Sequence, residues 1–327
     1  MDTGTHLVMG FALGGLATLD PVVAGDAVNS HGVLLATIIG SQIPDIDTAL
    51  KFKNNAVYIR NHRGVTHSIP AVILWPLLVT LMVHLFFPGA NMLHLWIWSF
   101  VAVFLHVFVD IFNAYGTQAV RPLSMKWVAF GMINTFDPFI FCIHVVGLIL
   151  WGFGLHPGYT FLTMYIIIFF YYLFRFYEQR SVRKAVKEKI PDAKKIIIAS
   201  TMRFYKWRVV VETEDSFYVG KAEKRQITIL DTYKKIPVPQ TPEIEAAKKD
   251  KNLSAFLSFS PIFRWEVKER NDQSFEVRFI DLRYRSKGHY PFVAIVQLDS
   301  DLSITGSYTG WIYNNEKLRK KLDIAPH

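Results

Sequence analysis

Histidine and aspartate residues recur in the first half of the 327-residue chain, where the surrounding sequence is strongly apolar. The densest group is HRGVTHS at residues 62–68. Further along, His106 and Asp110 are four residues apart, so on a helix their side chains project from one face, one turn apart. Asp45 and Asp47 flank a single isoleucine directly after a proline. Imidazole and carboxylate groups in combination suit zinc, manganese or iron, and carboxylates can bridge two ions. These residue types therefore predict a metal site.

The composition divides the chain into two parts. Hydrophobic residues make up 51% of the chain and charged residues only 19%, and the mean hydropathy is +0.22, which is too apolar for an ordinary soluble protein. Residues 1–177 contain seven Lys or Arg, seven Asp and no Glu, whereas residues 178–327 carry the whole net charge of +9. The single cysteine, Cys142, excludes a disulfide framework and a thiolate zinc site. A membrane half and a basic, water-soluble half are therefore expected.

The membrane half contains six apolar stretches, at residues 5–20, 30–44, 67–87, 92–113, 139–154 and 159–177. The third, fourth and sixth have the length of about 20 residues that a helix needs to cross a hydrocarbon core. The other three are shorter and contain glycine. Because the N-terminus lacks the basic region of a signal peptide, we expect the first helix to be retained. The pattern predicts a multi-pass bundle of about six helices.

Basic residues in the loops predict the orientation of this bundle. The Lys and Arg residues before position 178 fall in or beside alternate connections: Lys51, Lys53, Arg60, Arg63, Arg121, Lys126 and Arg175. By the positive-inside rule, this predicts a cell-membrane protein with both termini in the cytoplasm. The candidate site residues all map to cytoplasmic helix ends: His6, Asp45, Asp47, His62, His67, His106, Asp110 and Asp137.

This one-sided distribution favours a shared site, because ionisable groups at membrane depth are costly and by default indicate function. The predicted metal ligands are His6, Asp45, Asp47, His62, His67, His106 and Asp110. Seven groups exceed the three protein ligands of a mononuclear catalytic zinc site, so we expect one to three divalent ions, with two favoured. Zinc is expected first, with manganese or iron as alternatives. Taken singly, each residue also has a structural interpretation, such as a helix cap at Asp137.

The ordered set of these residues, from His6 through HRGVTHS to Asp137, resembles the YdjM-type membrane-bound metal-dependent hydrolase family over residues 1–175. The opening MDTGTH and the basic C-terminal extension are most similar to its YfhP branch. That family is in turn distantly similar to zinc-dependent phospholipases C and related nucleases, which are all-α enzymes with clustered His and Asp ligands to zinc.

This more distant likeness implies particular matches. The helical pair of His and Asp at 106–110 would match the HxxxD pair of those enzymes, one aspartate of PDID at 44–47 would match an earlier Asp, and one histidine of HRGVTHS would be a further ligand. Those enzymes also use their N-terminal amino group as a ligand, whereas here Met1 precedes His6 by five residues. The membrane half also has no Glu, so two ions are expected rather than three.

The resemblance implies metal-dependent hydrolysis of an ester or phosphoester at the cytoplasmic membrane face, with a membrane lipid among the candidate substrates. Asp47 or Asp137 would accept a proton, and Arg63 would hold a phosphate group. Two alternatives stay open: a transporter for a metal ion or proton, and a non-catalytic, membrane-anchored regulator. The first predicts ligands through the membrane depth, whereas here they cluster at one end.

The soluble half has a different pattern. Residues 178–195 are densely basic and predict a juxtamembrane helix that continues the last helix of the membrane domain, residues 1–177. Alternation with a period of two then recurs in eight segments between Lys195 and Trp311, with a polar helical insertion near 240–257. We therefore expect residues 196–327 to form a small, antiparallel β-rich cytoplasmic domain. No recognised nucleic-acid motif occurs there, and no protein partner is indicated.

Overall fold

The computed structural model describes residues 1–52, 54–270 and 273–314. Lys53, which belongs to the predicted basic loops, lies outside the described residues, as do the last 13 positions of the predicted β-rich segment. The chain divides into two compact units. The first comprises Met1–Asp47, Arg63–Arg183 and Ile198–Lys206, and the second comprises Thr48–His62, Lys184–Ile197 and the chain from Trp207 onward.

The described residues form ten α-helices, numbered along the chain: α1 (Thr3–Leu16), α2 (Pro21–Ala24), α3 (Ala27–Gly40), α4 (Asn55–Asn61), α5 (Ile69–Phe86), α6 (Met92–Asp110), α7 (Pro138–Gly152), α8 (Pro157–Lys189), α9 (Pro242–Lys248) and α10 (Lys251–Phe259). Among them, α5, α6 and α8 are long and apolar enough to cross a membrane. The 3₁₀ segment Ile43–Phe52 follows α3 at an angle of 44°, and this bent pair is a fourth candidate span. α1 and α7 are shorter apolar helices.

Side-chain caps fix where the helices of the first unit begin. Asp2 accepts a hydrogen bond from the backbone N–H of Thr5 at the start of α1. Ser68 caps α5 in the same way, and Asp137 caps α7. Such caps satisfy backbone donors that have no partner within the helix. The caps therefore define the residue at which each loop ends and each helix begins, and this fixes the position of the polar segments between the helices.

Small residues allow α1, α3 and α6 to pack closely. A Cβ atom on Gly14 of α1 would lie 3.0 Å from the Cα atom of Leu34 in α3. A Cβ atom on Gly40 of α3 would lie 3.0 Å from the Cβ atom of Ala102 in α6. Larger side chains at these glycines would separate the helices, because interiors are packed without spare volume. The close approach brings the N-terminal end of α1, the C-terminal end of α3 and the C-terminal end of α6 together.

The β-rich part of the chain contains two four-stranded antiparallel sheets. The first has the order β1 (Lys195–Ser200), β2 (Lys206–Glu212), β3 (Ser216–Glu223) and β4 (Gln226–Lys234), and the second has the order β5 (Phe263–Glu269), β6 (Phe275–Asp281), β7 (Phe292–Leu298) and β8 (Ile304–Trp311). α9 and α10 lie between the two sheets in sequence, and the ring of Phe256 in α10 stacks on that of Phe292 in β7. The predicted fold class, a helical membrane bundle followed by an antiparallel β-rich part, is confirmed.

Candidate metal centre

Four of the predicted ligands converge in the first unit. Asp45 lies in the 3₁₀ segment after α3, and His67 closes the short 3₁₀ helix Val65–His67 before α5. His106 and Asp110 lie in the last two turns of α6, on one face of the helix. One ligand atom from each of the four lies within 4.8 Å of the ligand atoms of the other three. His67, His106 and Asp110 have no solvent-accessible surface, and Asp45 is half-buried.

The separations between these atoms are those of ligands around a common ion. The Nε2 atom of His67 lies 3.6 Å from Asp45 Oδ1 and 3.6 Å from Asp110 Oδ2. The Nε2 atom of His106 lies 3.7 and 3.8 Å from the same two oxygens. These distances exceed hydrogen-bond length. Ligands at zinc distances of 2.0–2.1 Å in a tetrahedron lie about 3.3 Å apart, close to the observed spacing.

A second histidine–aspartate pair on the same helix shows the contrast. His94, near the start of α6, places its Nδ1 atom 2.6 Å from Asp20 Oδ2, which is an ordinary hydrogen bond. The two side chains of that pair therefore satisfy each other's hydrogen-bonding groups. His106 Nε2 and Asp45 Oδ1, in contrast, are buried and have no hydrogen-bond partner among the described residues. Unpaired buried polar atoms are costly, and a bound cation would satisfy both of these.

Hydrogen bonds behind the two histidines set the tautomers that a metal requires. The Nδ1 atom of His106 lies 2.6 Å from the carbonyl oxygen of Ser41, and since a carbonyl only accepts, Nδ1 carries the proton. The Thr66 hydroxyl donates to Asp47 Oδ2 over 2.6 Å and lies 3.0 Å from His67 Nδ1, so it accepts from that nitrogen. Both Nε2 atoms are therefore unprotonated and can act as metal ligands. Metal-ligating histidines are commonly held in this way.

The predicted ligand His6 lies beside these four groups. Its ring stacks on that of His106 with a centroid distance of 3.6 Å, and its Nε2 atom lies 3.4 Å from Asp110 Oδ1. The amino group of Met1 contacts the same Asp110 oxygen and lies 2.9 Å from His6 Nε2. Although Met1 precedes His6 by five positions, the first turn of α1 therefore brings the Met1 nitrogen to the cluster.

Arg63 lies at the edge of the cluster and is almost fully buried. Its Nη2 atom lies 3.1 Å from Asp110 Oδ2 and donates to the carbonyl oxygen of Met1 over 2.8 Å. Its backbone N–H donates to Asp47 Oδ2 over 2.8 Å. The residue has a φ angle of +58°, which is uncommon for a non-glycine residue and costs conformational energy. The Nε and Nη1 atoms are buried and have no hydrogen-bond partner among the described residues.

One predicted residue, Asp137, has other surroundings. Asp137 caps α7: its Oδ1 atom accepts from the backbone N–H groups of Phe139 and Ile140, and its Oδ2 atom accepts from the Tyr171 hydroxyl over 2.8 Å. The groupings of ligand atoms found among the described residues do not include it. His62 belongs to the second unit, where its ring stacks on that of Tyr58 with a centroid distance of 4.5 Å.

Sequence reasoning missed three contributors to the centre. Thr66 is not among the predicted site residues, although it lies next to a candidate ligand within the HRGVTHS block. The Met1 nitrogen was set aside because of its distance from His6 along the chain, although Asp2 has the residue type of a helix N-cap and predicts that α1 begins there. The Ser41 carbonyl has no signal in the sequence, since a backbone acceptor depends on the fold alone.

The donor set fits a divalent ion. Two imidazole nitrogens and two carboxylate oxygens are ligands that zinc, manganese and iron share. The cysteine, Cys142, is exposed and lies on α7. Four ligand atoms gathered around one point support a single ion among these residues. A second ion would require ligands beyond these four.

Comparison with known proteins identifies the family. The model of the YdjM inner membrane protein family matches residues 1–182, which include the cluster and every helix from α1 to α7. The chain belongs to the YdjM inner membrane protein family. The YfhP middle domain matches residues 191–233, and the YfhP C-terminal alpha/beta plait domain matches residues 242–322. The resemblance to the YdjM family and its YfhP branch is confirmed.

A full-length relative and the solved structures complete the comparison. The chain is 59% identical to uncharacterized protein YfhP of Bacillus subtilis (strain 168), over 99% of both chains. No solved structure matches the chain. As a member of the YdjM inner membrane protein family with apolar helices of spanning length, the chain is a membrane protein.

If these four residues bind a metal ion, the amount of metal that co-purifies with the protein should depend on His106. It should also depend on the hydrogen bond between Thr66 and His67. His106→Ala should reduce the metal that co-purifies with the full-length protein at least tenfold, because a ligand is lost. Thr66→Val should weaken metal affinity about 10- to 100-fold, since the His67 tautomer is no longer fixed. Metal content is measured by inductively coupled plasma mass spectrometry.

The matched control is His94→Ala, on the same helix but in a pair that is already hydrogen-bonded. It should retain the metal content of the wild type. Equal metal loss in the His94 and His106 variants, or unchanged metal content in both His106→Ala and Thr66→Val, would contradict the assignment.

Proposed function

We propose that this protein is a membrane-embedded, metal-dependent hydrolase that cleaves an ester or, more specifically, a phosphoester. The observation that carries the proposal is the convergence of four buried ligand atoms beside a guanidinium group with two unused donors. Buried donors in structural ion pairs are generally all hydrogen-bonded, whereas the Nε and Nη1 atoms of Arg63 have no partner among residues 1–52, 54–270 and 273–314. A ligand with anionic oxygens would satisfy them.

Asp45, His67, His106 and Asp110 would hold the ion, and zinc is the first choice, with manganese and iron as alternatives. Such an ion, when bound, lowers the pKa of water toward neutrality and polarises a carbonyl or phosphoryl oxygen. The chain itself supplies the orientation of these ligands, through the Ser41 carbonyl and through Thr66. The remaining donors of the Arg63 guanidinium would bind a phosphoryl oxygen and fix the direction of the ester.

Asp47 would act in this proposal as a positioning residue. Its Oδ2 atom accepts from the Thr66 hydroxyl and from the Arg63 backbone N–H. It thereby orients one ligand, His67, through Thr66, and one anion-binding residue, Arg63, through the backbone. The same carboxylate would also be placed to receive a proton by way of Thr66. Asp137, whose oxygens are used by α7 and Tyr171, has no part in the proposal.

We further propose that both termini lie in the cytoplasm and that the centre opens at that face. The support is the distribution of Lys and Arg over alternate connections, together with the dense basic segment at residues 178–195.

Labelling of single cysteines tests this orientation. In a Cys142→Ser background, Lys224→Cys in the exposed turn between β3 and β4 should react with a membrane-impermeant maleimide only after the cells are lysed. Labelling of intact cells to the same extent would contradict the orientation.

Activity measurements test the hydrolase proposal. Full-length protein loaded with zinc, manganese or iron is assayed against bis(p-nitrophenyl) phosphate and against p-nitrophenyl butyrate. The phosphodiester should be cleaved, and Arg63→Gln should lower kcat/KM for it about 100-fold, because donors aimed at a developing negative charge are lost. Arg63→Lys should recover part of this activity, because the charge remains without the planar pair of donors.

The matched control is Arg203→Gln, which removes an exposed arginine of the same unit. Its kcat/KM should equal that of the wild type. Absence of cleavage of either ester by protein that retains its metal would contradict the proposal, and would favour transport or regulation instead. Cleavage of the carboxylic ester alone, with no effect of Arg63→Gln, would overturn the phosphoester assignment.

A further inference from the structure

An apolar cavity of about 500 Å³ lies between α1, α6, α7 and α8 of the first unit. Its volume is in the range of pockets that take small-molecule ligands. The lining is almost entirely apolar, with Met9, Val109, Ile140 and Ile168 among the buried side chains. A cavity of this size is unusual in a packed interior, because empty volume forfeits dispersion contacts.

Three polar atoms in the lining have no hydrogen-bond partner within the part of the chain that the structure describes. The Nδ1 atom of His144 donates to the Ile140 carbonyl oxygen over 2.7 Å, so the neutral ring presents Nε2 as an acceptor. His144 is 2% exposed, and its Nε2 atom has no hydrogen-bond partner among the described residues. The hydroxyl groups of Tyr165 and Tyr172 are likewise buried without a partner. These two tyrosines are seven residues apart on α8, and the Tyr165 ring contacts His144 edge to face at 5.8 Å.

The rim of the cavity is apolar and exposed. Phe108 of α6 and Phe169 and Phe176 of α8 line the cavity and are 42–59% exposed. Both helices are candidate membrane spans, so these rings face hydrocarbon when the protein is in a bilayer. A molecule that enters past them comes from the membrane and must be apolar along most of its length.

The cavity adjoins the candidate metal centre. Met1 lines the cavity, while its amino group contacts Asp110. On α6, Leu105 and Val109 line the cavity, and the residues that follow each of them, His106 and Asp110, belong to the cluster. An amphiphile with its chain in the cavity would therefore have its head group near the centre.

We propose that this cavity binds the acyl chain of a single-chain glycerolipid, such as a lysophospholipid. The volume suits one chain rather than two. The Tyr172 hydroxyl would donate to the ester carbonyl of the lipid. The Tyr165 hydroxyl and His144 Nε2, whose rings are in contact, would bind the free glycerol hydroxyl. The identification of this lipid as the substrate rests on the proposed function; chain binding itself does not.

Native mass spectrometry of the full-length protein in detergent tests the proposal, with 1-palmitoyl lysophosphatidylglycerol as the probe. The protein should bind one molecule of this lipid. It should bind the ether-linked analogue of the lipid, which lacks the carbonyl, about tenfold more weakly. Tyr172→Phe should weaken binding of the ester lipid about tenfold but not that of the ether analogue, whereas Tyr165→Phe should weaken binding of both lipids about tenfold. Ile168→Trp, which fills the cavity, should abolish binding.

Two controls separate ligand binding from a structural role. Tyr159→Phe removes an exposed hydroxyl from the same helix and should leave binding unchanged. The thermal stability of the lipid-free protein should not fall in Tyr165→Phe or Tyr172→Phe, because these hydroxyls have no partner to lose. A loss of stability in both variants together with unchanged lipid affinity would show that the hydroxyls serve internal water only, and would overturn the proposal.

The outcomes also distinguish this inference from the proposed hydrolase activity. Lipid binding without cleavage of any phosphoester would contradict the hydrolase proposal and leave the cavity assignment intact. Equal lipid affinity in the wild type, Ile168→Trp and the tyrosine variants would contradict the cavity assignment, whether or not phosphoesters are cleaved.

Discussion

The burial of the Asp110 carboxylate is the constraint on which the first unit depends. A carboxylate without solvent access among apolar helices is stable only if positive charge and hydrogen-bond donors surround it. The protein brings Arg63 and the Met1 amino group to its oxygens and two imidazole rings close to it. Within the part of the chain that the structure describes, His106 Nε2 and Asp45 Oδ1 nevertheless remain without hydrogen bonds. A divalent cation would satisfy these two atoms. The close packing of α1, α3 and α6 at Gly14 and Gly40 gathers the groups that would hold it.

Much of the architecture could be predicted because hydrophobic periodicity records local structure. The alternating segments appear as strands, and the apolar stretches appear as helices with boundaries shifted by a few residues. His106 and Asp110 were predictable as a pair because their spacing of four fixes one helical face. Contributions that depend on tertiary geometry were not. The proton on His106 Nδ1 is set by the Ser41 carbonyl, and the two oxygens of Asp137 are taken by a helix end and by Tyr171. Residue type alone does not distinguish a ligand from a cap.

Two neighbouring faces of α6 serve two different environments. Leu105 and Val109 border the apolar cavity, and His106 and Asp110, one residue further along, belong to the polar centre. Adjacent residues on a helix differ in direction by about 100°, so one helix can separate a chain-binding space from a reactive one. Arg63 links this arrangement to the loop before α5, where its φ angle of +58° holds the guanidinium against Asp110. Backbone strain and unused donors at Arg63, beside a buried carboxylate, favour a functional role for this residue over a purely structural one.

X-ray absorption spectroscopy at the zinc edge, on zinc-loaded full-length protein, tests the central claim most directly. The account predicts a first shell of nitrogen and oxygen atoms at about 2.0–2.2 Å, outer-shell scattering from imidazole, and no sulfur. His106→Ala should reduce the imidazole scattering, while Cys142→Ser should leave the spectrum unchanged. Zinc that carries only water ligands, that is bound by sulfur, or that shows the same spectrum in His106→Ala would contradict it.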